Sequence, residues 1–105
     1  MAYEDLRLNA EETAFVQELV SLLEKNKYDP RQLSINWTSD KTLNFRISGC
    51  QIGRVKLQGK KTKMQVLTAD MVRWYEDQSL DTYIGLLSQW IDYIRREKIY
   101  DPSRQ

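Results

Sequence analysis

The sequence contains no histidine, a single cysteine, two prolines and four glycines in 105 residues. Without histidine there is no Ser-His or Cys-His nucleophile, no His-ligated zinc and no imidazole acid or base. Cys50 can form no internal disulfide and no thiolate metal cage, and a lone thiol suits a reducing compartment. Four scattered glycines build no phosphate-cradling loop. No apolar run approaches the roughly 18 residues of a membrane span. The opening MAYEDLRLNAEE carries acids where a secretory signal has a basic patch and an apolar stretch. These absences lead to the expectation of a cytoplasmic protein with no membrane association, no cofactor and no metal. Carboxylate pairs remain as a catalytic route, but no spacing of Asp and Glu builds one, so we expect no enzyme.

A local absence is more informative. The stretch from Lys41 to Ala69, KTLNFRISGCQIGRVKLQGKKTKMQVLTA, has no Asp or Glu, yet it holds seven of the 16 basic residues. The rest of the chain has nine basic residues against all 15 acids, so a net charge of +1 hides parts of about +7 and −6. Apolar content of 41% and charged content of 30% describe one ordinary globular domain over residues 1–105.

The order of elements follows from periodicity. Residues 1–8 read as an extended arm. Asn9, with Glu12 three residues on, reads as a capping box that opens a helix over 9–26. Phe15, Val16, Leu19, Val20, Leu22 and Leu23 form its apolar stripe. Asp29-Pro30 marks a turn, and the period then changes from helix to strand. Leu33, Ile35 and Trp37 alternate with polar residues, as do Leu43, Phe45 and Ile47 after a turn at Ser39-Asp40. Gly49-Cys50 fits a two-residue type II′ turn pairing Ile47 with Ile52. The apolar pattern then demands an extra residue in the returning strand, which we place at Gly53, so that Phe45 meets Val55 and Leu43 meets Leu57. A second tight turn at Gly59-Lys60 pairs Val55 with Met64 and Leu57 with Thr62. The meander thus spans 33–67.

Residues 71–75 are a candidate fifth strand that brings Val72 and Trp74 to the core. Ser79 caps a second helix over 79–97, whose Leu80, Tyr83, Ile84, Leu87, Trp90, Ile91 and Ile94 recur three and four apart. Residues 100–105 read as a loose tail. The expected fold class is α+β: an N-terminal helix, a four- or five-stranded antiparallel meander and a long C-terminal helix, both helices on one sheet face. Trp37, Trp74 and Trp90 are all assigned to the core.

This arrangement leaves a wet sheet face onto which Arg46, Arg54, Lys56, Lys61 and Lys63 project, with Lys41 and Lys60 in the turns. Lys56 and Lys63 stand opposite each other, a like-charge pair that needs an anion to answer it. These seven residues are the candidate partner-binding site. Two partners fit: nucleic acid, whose phosphates Lys and Arg neutralise, or a charged protein surface bound by an interaction or inhibitor module, such as an accessory protein of a bacterial mobile element. Solubilising charge on an exposed sheet is the third reading.

The helix, sheet, helix order resembles that of double-stranded RNA-binding domains, although Glu76, Asp77 and Asp81 stand where those domains carry a basic cluster. The outward positions Ser34, Asn36, Asn44, Arg46, Arg54, Lys56 and Gln65 hold no aromatic, a departure from RNA-recognition motifs. A sheet followed by a long helix also resembles, in outline, the single-strand-binding coactivators, which implies a homodimer through the C-terminal helix. Tyr93 and Trp90 would mark that surface if they stood outside the core. These are likenesses of topology, with no family motif behind them.

Overall fold

The computed structural model describes residues 7–99. Two helices and five strands follow one another as α1 (Ala10–Lys25), β1 (Leu33–Trp37), β2 (Leu43–Ile47), β3 (Cys50–Lys56), β4 (Lys63–Leu67), β5 (Val72–Glu76) and α2 (Leu80–Arg96). The strands form one antiparallel sheet in the order β1-β2-β3-β4-β5, so the fifth strand is present and the fold is α+β. Of the arm expected over residues 1–8, only Arg7 and Leu8 fall within the described residues, and the tail over 100–105 lies outside them.

Helix α1 starts at the capping box. Asn9 Oδ1 accepts from the Glu12 amide at 2.8 Å, and Glu12 Oε1 accepts from the Asn9 amide at 2.9 Å. Glu12 is fully buried, and the same Oε1 accepts from Gln58 Nε2 at 3.0 Å, tying the helix start to the loop between β3 and β4. At the other end Lys27 adopts a left-handed φ of 65°. That turn lets the Tyr28 amide donate to the Leu23 carbonyl at 2.8 Å and satisfies one of the helix's last carbonyls. Asp29 and Pro30 then begin a short 3-10 turn over Pro30–Gln32 that feeds β1.

Both helices cover one face of the sheet. Leu33, Ile35, Leu43, Phe45, Ile47, Val55, Met64 and Val66 face them and are buried with Phe15, Val16, Leu19 and Leu23 of α1 and Tyr83, Leu87, Trp90, Ile91 and Ile94 of α2. Three rings meet at the centre: Phe15, Phe45 and Trp90 lie 5.1–5.8 Å apart with tilted or edge-to-face geometry. Trp90 also donates from Nε1 to the Gln65 carbonyl at 2.7 Å, so its one polar atom is satisfied in the core.

The register differs from the sequence reading in three places. The β2–β3 turn is centred on Ser48-Gly49, with φ of 52° and 83°, a type I′ geometry, not on Gly49-Cys50. Ile47 therefore pairs with Cys50 and Arg46 with Gln51. The bulge follows at once, leaving Ile52 as the extra residue before Phe45 pairs with Gly53 and Leu43 with Val55. The extra residue exists as the apolar pattern requires, but Gly53 has a different task. A Cβ on it would lie 2.3 Å from Trp90 Cε2, so glycine is there to let the indole sit on the strand. Between β3 and β4 the chain takes a loop over residues 57–62 with Gly59 at φ 91°, not a two-residue turn, while Val55 still pairs with Met64 and Lys56 with Lys63.

The third difference concerns β5. Its pairing sets Leu67 against Val72, Val66 against Arg73, Gln65 against Trp74, and Met64 against Tyr75. Since Met64 and Val66 face the helices, Tyr75 and Arg73 share their side, and Val72 and Trp74 point to the opposite face. Trp74 is 41% exposed, not a core residue, while Trp90 is fully buried and Trp37 packs half-buried at the core margin.

Candidate nucleic-acid interface

The outer sheet face is built from rows running across the strands. One row joins Asn36, Asn44 and Arg54, which are register partners on β1, β2 and β3. Asn44 Nδ2 donates to Asn36 Oδ1 at 3.4 Å, and Arg54 Nε donates to Asn44 Oδ1 at 3.3 Å. Next to it, Gln51 Nε2 donates to Gln65 Oε1 at 3.0 Å. Asn44 and Gln65 are buried although they sit on this face, because the neighbouring side chains lie over them. A short polar network thus underlies the face and holds the Arg54 guanidinium in place.

Lys63 is the best-anchored cation. Its Nζ lies 3.6 Å from Asp40 Oδ2 and 4.9 Å from the centre of the Trp74 ring, and its strand partner on β5 is Glu76. Asp40 and Glu76 both lie outside the acid-free stretch, so the anions that answer the Lys56–Lys63 pair come from the loop before it and the strand after it. The Asp40 carboxyl is held well below the usual carboxylate range, first by the Thr38 hydroxyl, which donates at 2.6 Å, and then by Thr42 and the nearby Lys63.

The seven residues singled out from the sequence do not all converge. Lys56, Lys61 and Lys63 line one small cleft with Thr62 and Glu76. Arg46, exposed on β2, and Arg54, half-buried on β3, share the outer face with them. Lys60 is exposed in the 57–62 loop, and Lys41, with a left-handed φ of 66°, lines a separate cleft with Arg7, Trp37, Thr38 and Gln58.

Trp74 is the residue that the sequence reading missed. VRWYE is ambiguous in phase, because Val72/Trp74 and Tyr75 both look apolar, and hydrophobicity favours the wrong choice. A usable signal lies in the turn. The Thr68 amide donates to the Met71 carbonyl at 2.9 Å, closing a two-residue loop at Ala69-Asp70. Counting outward from 68 and 71 sets Arg73 opposite Val66 and turns Trp74 outward.

Among the described residues no group of three or more His, Cys, Asp and Glu is placed to hold a metal, and no helix is long and apolar enough to cross a membrane. Helix α2 offers no outward tryptophan for a helix-mediated dimer, since Trp90 is fully buried and Tyr93 half-buried. The chain thus presents an α+β meander with one helix-covered face and one polar, cation-bearing face. Compared with known protein families, curated proteins and solved structures, it matches none.

Proposed function

We propose that this protein is a non-catalytic binding module of the cytoplasm that takes single-stranded nucleic acid on the outer face of its sheet. The observation that carries the reading is the outward Trp74 on the same face as Arg46, Arg54, Lys56 and Lys63. Single-strand binders combine cations that track the backbone with an aromatic platform on which a base stacks. A base stacking on the indole takes the place of Lys63 over the ring or uses its other face, and Arg46 and Lys56 supply phosphate contacts on either side. The histidine-free composition supports a non-catalytic role.

Fluorescence anisotropy with labelled single- and double-stranded oligonucleotides at low and moderate salt tests this reading. Binding is expected to favour single strands and to weaken with salt. Trp74→Ala should lose roughly 1–3 kcal/mol of affinity, the worth of one stacked base. Arg46→Gln with Lys56→Gln should flatten the salt slope by about 0.7 for each phosphate contact removed. Lys63 is a poorer target because it also holds Asp40. No binding to either strand form at low salt refutes the proposal. A second reading, a module for a charged protein surface, is favoured by one observation: Asp40 and Glu76 already stand at Lys63, so this part of the face carries both signs.

A further inference from the structure

The large apolar side chains exposed among the described residues are Met71 (52%), Val72 (54%) and Trp74 (41%), and all three belong to β5 or the residue before it. This strand closes one edge of the sheet. Natural edges are blunted by charged side chains, lysine above all, by proline, a bulge or a covering element. Over Val72–Glu76 there is neither proline nor lysine, the pairing with β4 is unbroken, and α2 lies against β3 and β4; Arg73 and Glu76 are the strand's charges, so a partner strand must answer both. Such an edge is a template for another strand.

The main chain shows which groups are on offer. The Asp77 amide donates to the Thr62 carbonyl at 3.0 Å and the Met71 carbonyl accepts from the Thr68 amide at 2.9 Å. In an antiparallel ladder the groups of alternate residues point the same way. Residues 71, 73, 75 and 77 therefore turn theirs to β4, while Val72, Trp74 and Glu76 turn theirs to the open edge. Of these, the Glu76 carbonyl accepts from the Gln78 side chain at 2.9 Å. The rest of the row has no intrachain ladder to join.

We infer that this edge pairs with the same edge of a second copy of the chain, antiparallel and centred on Trp74, to give a continuous ten-stranded sheet. Self-pairing about a two-fold axis normal to the sheet keeps each face continuous, so opposed residues must lie on the same face. Every residue of the strand is a centre that satisfies that condition, but those at Val72 and Glu76 pair only one end of it. A centre at Arg73 sets two guanidiniums against each other. A centre at Tyr75 leaves Val72 opposite Gln78, beyond the strand. The centre at Trp74 sets Trp74 against Trp74, Val72 against Glu76, and Arg73 against Tyr75 on the helical side, where a guanidinium meets an aromatic ring twice. It also brings all three outward-turned residues into narrow, hydrogen-bonded pairs.

The helices permit it. With α2 resting on β3 and β4, its axis and its symmetry mate are separated by about four strand spacings, roughly 19 Å, against the 8–10 Å of packed helices. The outer faces of the two copies join across the seam, with both Trp74 indoles at the middle. The pairing rests on the edge alone and stands whether or not that face binds nucleic acid.

Sedimentation equilibrium of the full chain over a wide concentration range tests the inference. The expected mass rises to twice that of one chain. Val72→Glu, which would place a carboxylate against the partner's Glu76 at both ends of the seam, should weaken association at least tenfold. Val72→Lys, which would place an ammonium there instead, should dimerise at least as tightly as the parent. Because side chain 72 is exposed, both variants should keep the parent's circular dichroism and urea midpoint when dilute. A parent that stays at the mass of one chain overturns the inference, as does association beyond two copies, a Val72→Glu variant that dimerises like the parent, or a Val72→Lys variant that dissociates like Val72→Glu.

Discussion

Replacing Gly53 by alanine tests the central packing of the molecule. The new Cβ would lie 2.3, 2.5 and 2.7 Å from Trp90 Cε2, Cζ2 and Nε1. Carbon atoms settle at about 3.5–4.0 Å, so the indole must retreat by at least about 1 Å. It has nowhere to go, since Trp90 is fully buried, with Phe15 centred 5.5 Å away and Phe45 5.1 Å away. Overpacking of this kind costs about 1–3 kcal/mol. Stretching the 2.7 Å bond from Nε1 to the Gln65 carbonyl adds about 1 kcal/mol. Alanine's easier strand backbone gives back roughly 0.5–1 kcal/mol. The net expectation is a loss of about 1–3.5 kcal/mol, read from urea unfolding followed by tryptophan fluorescence, together with an altered near-ultraviolet circular dichroism from the displaced indole. Gly85→Ala is the matched control. A Cβ there meets nothing within 4 Å on an exposed position of α2, so the same substitution should stabilise by about 0.5–1 kcal/mol. If Gly53→Ala is as stable as the parent, the reasoning about that close approach is wrong.

Two further expectations follow from local geometry. Asn9→Ala removes half of the capping box of α1 and should cost about 0.5–2 kcal/mol in chemical denaturation, whereas an unchanged midpoint would show that the cap contributes nothing. The folded state depresses the Asp40 carboxyl below its ordinary value of 3.8, so its ionised form contributes stability that is fully present above that value and is lost as pH falls through the lower folded value. Parent and Asp40→Asn should therefore differ most in urea midpoint near neutral pH and begin to approach each other only as pH falls below about 4, and a gap independent of pH would rule this out.

The legibility of the fold divides along physical lines. Helix α1 could be read to its cap because Asn9 and Glu12 act on each other locally, and α2 because its stripe repeats over four turns. Strands β1 and β2 alternate so cleanly that their inward residues admit one phase. The β2–β3 hairpin was legible only in part: the mismatch between Phe45 and Arg54 revealed that a residue had to be absorbed, but sequence alone did not distinguish Ser48-Gly49 from Gly49-Cys50 as the turn. Glycine at either central position serves a primed turn, and serine at a positive φ gives no warning. The task of Gly53 was invisible, since it depends on an indole that arrives 37 positions later in the chain from α2. For the candidate site, charge placement on β2, β3 and β4 was legible through alternation. Trp74 was not, because burial is the default for tryptophan and the phase of β5 is set by the Ala69-Asp70 turn, which turns Trp74 to the outer face. Anions at Lys63 were missed for a related reason: Asp40 and Glu76 reach it only through the assembled sheet.

The meander order means that every strand finds its partner next to it in sequence, through short loops whose closure is entropically cheap. Helix α1 is the exception, for it packs both on β2, through Phe15 and Phe45, and on α2 at the far end of the described chain. During synthesis Phe15 can meet Phe45 once β2 has emerged, but its contact with Trp90 waits for α2. At 5–20 residues per second that interval is on the order of 4–15 s, and the sheet has time to assemble before it ends. A chain stalled before α2 would thus hold a sheet and a first helix with part of their apolar cover missing, the state in which a chaperone would find the most to hold.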